Sequence, residues 1–183
     1  DTVSLGIGTA QSCPWPSFSP AYEANKANVY SFDLDKARAL LKDAGVSNLQ
    51  LEIWPVSLYP ELQDFAQIHQ ADLDKIGVKL TIRNADLASW VDTVVNQKYQ
   101  GLYSTAFGTA QLFPSTLMSG AAYNPKANNS AFSSDAYTKL VDAMTAEPDA
   151  AKRKALYSQL NDLLNDEAFV YPIATAPFRV AAR

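Results

Sequence analysis

The apolar pattern predicts an α/β fold: a mixed sheet with flanking helices, built as a single domain. Three stretches carry that prediction. Leu49, Leu51 and Ile53 alternate with Gln50 and Glu52, the period-two pattern of a half-buried strand. Leu62, Phe65, His69, Leu73 and Ile76 then share one helical face, and Gly77 stands where a helix stops in the left-handed conformation. From Val78 the chain alternates again, with Val78, Leu80 and Ile82 on one side. Strand, helix and strand within about 35 residues is the span of a crossover between parallel neighbours. Loops leaving the carboxyl ends of such strands are the default ligand-facing surface. That points to the loop Val56–Tyr59, bracketed by Pro55 and Pro60, and to the residues after Arg83.

The flanking elements follow in order. Residues 1–30, punctuated by Gly6, Gly8, Pro14, Pro16 and Pro20, read as an extended lead-in packed on the surface of an α/β body formed by residues 31–183. Asp33 reads as the N-cap of a helix Leu34–Ala44 that Gly45 closes. Asp86 caps a further helix with Leu87, Trp90, Val91 and Val94 as its stripe. Leu102–Phe107 reads as a strand, and Gly108 opens a long loop to Asn129; loops of that length inside a compact domain tend to be functional. Tyr137, Leu140, Val141 and Met144 mark one helix, and Leu156, Tyr157, Leu160, Leu163 and Leu164 another, with Pro148-Asp149 as break and cap. The run Phe169–Phe178 reads as a strand that Pro172 confines to an edge or end.

Composition excludes several functions. The 183 residues are 48% hydrophobic and 19% charged, which is globular rather than disordered. A net charge of −4 with scattered signs lacks the basic stripe of a nucleic-acid footprint. No apolar run approaches the ~20 residues of a membrane span, and no signal peptide opens the chain. The expectation is a cytosolic protein, or one whose addressing segment has been removed. Cys13 is the single cysteine, a small hydrophobe rather than half of a disulfide or a metal cluster.

Reaction chemistry is sparse. His69 is the single histidine and sits in an apolar stripe, so a nucleophile–histidine triad has little to be built from. Nothing here has metal-ligand spacing, and no cofactor is expected. The Gly6–Gln11 segment lacks the third glycine of a dinucleotide loop. Asn128-Asn129-Ser130 matches a glycosylation sequon, a triplet frequent by chance. Glu52, Asp64, Asp72 and Asp74 read as solvated carboxylates; paired, they would support a small glycosidase-like enzyme as the alternative. A third alternative is an interaction domain with no small-molecule ligand. Against these stands a supply of aromatics beyond strand ends: Trp54, Tyr59, Phe107, Phe113 and Tyr123, beside Ser57, Thr109, Gln111 and Asn124. Aromatic walls with a few neutral hydrogen-bonding groups suit a cleft for a small polar molecule.

The blocks YSFDLDKARALLKDAGV, LQLEIWPV, ADLDKIGVKLTI and DLASWVDTVVNQKY, followed by the run from Tyr137 to Ile173, resemble the second lobe of extracellular solute-binding proteins of the peptide/nickel type, family 5. The resemblance covers Tyr22 to Phe178. It implies a type II periplasmic-binding-protein-like lobe over residues 31–183, half of a bilobal clamp that closes on a solute outside the cytoplasmic membrane, in the periplasm or anchored at the cell surface. The implied partners are a small peptide or saccharide, the permease of an ABC importer, whose ATPase supplies the energy, and a first lobe of the same protein. It also implies that such a lobe precedes this stretch in the complete protein.

The candidate ligand-binding residues are Ser57, Tyr59, Phe107, Gly108, Thr109, Ala110, Gln111 and Phe113. One departure matters. Peptide-holding members resemble W-x-A-D-x-x-D-P where this chain has Phe107 to Pro114, and the first acid is implied to pair with a peptide ammonium. Here that position is Ala110. A buried ammonium without a counter-charge is costly, so the ligand need not present a free α-amine to this lobe.

Overall fold

Strand β2 (Gln50–Pro55) is the centre of a three-stranded parallel sheet, with β3 (Lys79–Ile82) on one side and β4 (Gly101–Ser104) on the other. The structure, a computed structural model, describes residues 8–108 and 113–175. Within what the sequence reads as one domain, the chain forms two compact units, Ser31–Ala106 on the one hand and residues 1–30 with 107–183 on the other.

In the unit Ser31–Ala106, helices α1 (Leu34–Asp43), α2 (Pro60–Asp74) and α3 (Leu87–Val95) alternate with the strands. The Asp33 carboxylate accepts from the Lys36 amide at 2.9 Å and the Asp86 carboxylate from the Ser89 amide at 2.9 Å, so both predicted caps are formed. Helix α2 starts at Pro60, ahead of its first apolar anchor Leu62, because proline in the first turn gives up only an N–H that has no intrahelical partner. One apolar cluster joins Ile53 and Leu80 of the sheet to Ala66 of α2. A second joins Val56, Leu62, Trp90 and Val94. Strand β4 ends at Ser104 rather than at the expected Phe107. Ser104 pairs with Pro55, where β2 itself ends, so later residues have no strand to bond.

The other unit is helical. Helix α4 (Pro114–Met118) occupies part of the segment read as loop from Gly108 to Asn129. Pro114 starts it, and burial of Leu117 and Met118 secures a helix too short for its periodicity to register in the sequence. The end of that segment is tied down by Asn128, whose buried side-chain amide donates to Asn124 O and Phe132 O and accepts from Ser130 Oγ and the Phe132 amide. An asparagine so occupied is no glycosylation acceptor in the folded state. Helices α5 (Asp135–Ala146) and α6 (Ala150–Glu167) form as expected, capped by Ser134 and Asp149. The expected strand Phe169–Phe178 is reduced to β5 (Ala174–Thr175), antiparallel to β1 (Thr9–Ala10). Phe169 and Val170 pack irregularly on the core, Pro172 brings no ladder N–H, and residues 176–178 lie outside the described residues.

The lead-in is irregular but does not stay on a surface. Cys13, Trp15 and Ala21 are buried in one cluster with Leu117, Met118, Tyr137, Met144, Leu160 and Leu164. Trp15 Nε1 donates to Asn161 Oδ1 at 2.6 Å, and the Asn161 amide returns bonds to Ala21 O at 2.9 Å and Glu23 Oε2 at 3.0 Å. One turn along α6, Asn165 receives Cys13 Sγ at 3.7 Å and bonds Lys26 O at 3.2 Å. Burial pushes the Cys13 thiol up to about 11, so it stays an inert thiol.

Candidate functional site

The parallel order places the carboxyl ends of β2, β3 and β4 at one edge of the sheet, where ligand-facing loops are expected. After Pro55 the chain turns at once: the Val56 amide donates to Ser104 O at 3.0 Å and the Tyr59 amide to Val56 O at 3.4 Å. The turn leaves Ser57 and Leu58 exposed at its tip. Tyr59 is half-buried against Val56, Leu62, Trp90 and Val94, so its backbone is held while part of its ring stays accessible. Ser57 and Tyr59 thus lie in one turn directly after β2. Among the described residues, Ser104 Oγ at the same sheet edge is buried with no hydrogen-bond partner, a feature that its place in a short strand could not reveal.

Behind this edge, Glu52 is fully engaged. Arg83 donates to its Oε1 from Nε at 2.9 Å and from a terminal nitrogen at 2.5 Å, and Trp54 Nε1 donates to Oε2 at 3.0 Å. The Arg83 guanidinium first, then the Trp54 indole, hold the Glu52 carboxyl below the usual carboxylate range. A carboxylate so held is a poor proton donor, the role a glycosidase acid must fill. Trp54 is thus occupied structurally, and its carbonyl accepts from Trp90 Nε1 at 2.8 Å. Trp90 and Tyr99 each meet Tyr103 edge-on, at 6.0 and 5.5 Å, and burial pushes the Tyr103 hydroxyl up to about 12. His69 is half-buried, with Nδ1 donating to Phe65 O at 2.9 Å, the structural role its stripe predicts.

Phe107, Gly108 and Phe113 belong to the other unit. Phe107 is half-buried with its ring 6.1 Å from that of Tyr123, Gly108 is exposed, and Phe113 is 66% exposed at the N-cap of α4. Thr109, Ala110 and Gln111 lie outside the described residues. Tyr123, read as a loop aromatic beside the cleft, is instead core: it is 2% exposed and its carbonyl accepts from Tyr137. Among the described residues, no group of three or more His, Cys, Asp or Glu is placed to hold a metal, and no helix is long and apolar enough to cross a membrane. A shallow groove of about 620 Å³ along α3, lined by Leu87, Ala88, Val91, Asp92, Val95 and Asn96, includes none of the eight predicted residues.

These features are those of a lobe of the type II periplasmic-binding-protein fold. The solved structure of HbpA2 from Haemophilus parasuis superposes with a TM-score of 0.85 over 94% of this chain and 35% of that one, at 24% identity, a likeness of fold. Residues 1–129 match the model of bacterial extracellular solute-binding proteins, family 5 Middle, and the chain belongs to that family. The dipeptide-binding protein of Escherichia coli is 27% identical over 147 residues, covering 76% of this chain and 28% of its own length. Di/tripeptide-binding protein 4 of Pseudomonas aeruginosa is 30% identical over 185 residues, covering 93% of this chain and 33% of its own. The chain thus spans about a third of the length of the curated relatives it matches.

Proposed function

We propose that this chain is a ligand-binding lobe of an extracytoplasmic substrate-binding protein, clamping a small solute for delivery to the permease of an ABC importer. The observation that carries the reading is the family match across residues 1–129, which spans the strand–helix–strand unit whose carboxyl-end loop presents Ser57 and Tyr59. The working contacts are Ser57, Tyr59, Phe107, Gly108, Thr109, Ala110, Gln111 and Phe113, and no catalysis is involved. Solute contacts favour the closed clamp over the open one, and that difference alone drives closure. The names of the relatives support a peptide; the alanine at position 110 supports a ligand without a free α-amine at this lobe, an oligosaccharide or an amide-rich molecule.

Native mass spectrometry of the full-length protein as purified tests the reading. A retained mass of a short peptide or oligosaccharide, released on denaturation, is the expected result. Saccharide hydrolysis that disappears in Glu52→Gln would overturn it in favour of an enzyme. Where a peptide is found, its N-acetylated form is expected to bind within a few-fold of the free amine; strong dependence on the amine would sink the Ala110 argument.

A further inference from the structure

We propose that the cleft at the amino edge of the parallel sheet is a binding site for a small aliphatic carboxylate, separate from the loop Val56–Tyr59 at the opposite edge. The cleft holds about 430 Å³ within the unit Ser31–Ala106, a volume in the range of small-molecule sites. Two helix ends form it. Helix α1 closes at Gly45, with φ +67°, and α2 at Gly77, with φ +79°, the left-handed conformation that turns each chain back toward the sheet. Val46 and Leu49 after α1, Ile76 and Val78 around the end of α2, and Leu41 of α1 make up its apolar wall. Helix α1 has no buried residue and Val46 is 39% exposed, so this wall stays accessible.

The rim is made of donors. Arg38, Lys42, Ser47 and Asn48 border the cleft, and among the described residues no carboxylate lines it. Arg38 is shared with Asp35 and with Lys75 O, the latter at 3.1 Å. The Lys42 ammonium has no ion-pair or hydrogen-bond partner among the described residues, and neither have the backbone amides of Ser47 and Asn48. Helix C-termini ordinarily disfavour an anion. Here their last-turn carbonyls are already occupied: Leu41 O and Lys42 O accept from the Val46 and Gly45 amides at 2.9 Å, and Leu73 O and Asp74 O from the Val78 and Gly77 amides at 3.0 Å. A carboxylate at Lys42 therefore meets an unpaired cation and free amides, while its alkyl chain covers the apolar wall. An alkylammonium of the same length meets like charges instead, and an anion without a tail leaves the wall wet.

The test is methyl NMR of the full-length protein, labelled at isoleucine, leucine and valine and titrated with sodium hexanoate. Saturable shifts are expected at Leu41, Val46 and Ile76, with a Kd on the order of 1 mM for a ligand of this size. Hexylammonium and acetate are expected to leave these methyls unshifted. Lys42→Gln is expected to weaken hexanoate binding up to about fivefold, the loss of one exposed ion pair. Lys36→Gln, on the same helix but away from the cleft lining, is expected to leave it unchanged. No saturable shift, equal shifts with hexylammonium or acetate, or the same loss in both variants overturns the inference. Shifts confined to Val56 and Leu58 place hexanoate at the opposite edge and overturn it as well. None of these outcomes depends on which solute the proposed clamp carries.

Discussion

Gly101 is the position where a single atom decides the sheet. Its φ is +125°, and a Cβ there would stand 2.5 Å from Glu52 O and 2.8 Å from Glu52 N, both backbone atoms of the central strand. Gly101→Ala is expected to destabilise the protein by roughly 3 kcal/mol through strain and loss of the β2–β4 ladder; a urea melt with an unchanged midpoint would refute this. Glu52 beside it gives a pH signature. Its folded pKa is lowered, first by Arg83, so the stabilisation is present above the unfolded carboxylate value of about 4.3 and disappears as pH falls through the folded value. Glu52→Gln is therefore expected to lower the urea midpoint at pH 7 and to match the parent at the acid end of that window. The pair is partly exposed, so the effect is small. Neither role was legible in the sequence. Alternation places Glu52 on the polar side of a strand but says nothing of Arg83, 31 residues away. Tyr123 fails for the opposite reason: its loop position looks accessible, whereas its burial comes from the packing of α5 and Phe169.

Helices and strands were read most surely where the determinant is local. The caps Asp33, Asp86 and Asp149 and the period-two strands need only their own neighbours. What buries the lead-in was not legible because its partner is distant: Trp15 and Asn161 are separated by 146 residues. Asn161 and Asn165 interrupt the apolar face of α6 and pass for solvent-facing residues, yet they are the groups that fasten the lead-in. Asn161→Ala strands the Trp15 indole N–H and the Ala21 carbonyl inside the core, and is expected to cost about 2–3 kcal/mol. Denaturant unfolding followed by tryptophan fluorescence reads it. A loss under about 0.5 kcal/mol, the ordinary scatter of surface substitutions, would mean that the strap is held by apolar contact alone.

At the scale of the molecule, the alternation of strands and helices made the α/β class legible, and the order of blocks made the family legible. The placement of the loop side chains was not, because the local sequence underdetermines loop conformation. On the proposed clamp reading, affinity follows from how much of the clamp is present. A clamp binding its solute with a Kd of about 1 μM has a net binding free energy of about 8 kcal/mol. Adding back an association loss of at least about 4 kcal/mol puts the gross contacts near 12 kcal/mol. One lobe that keeps about half of those contacts faces the same association loss, which leaves about 2 kcal/mol, weaker than the roughly 4 kcal/mol of a millimolar complex. Calorimetric titration of this 183-residue chain with trialanine or a linear mannose oligosaccharide is therefore expected to give no saturable heat below about 1 mM, against clear binding by the full-length protein of whichever solute it carries. A submicromolar Kd for the chain alone would mean that the site is complete within it, and the clamp reading would have to be abandoned.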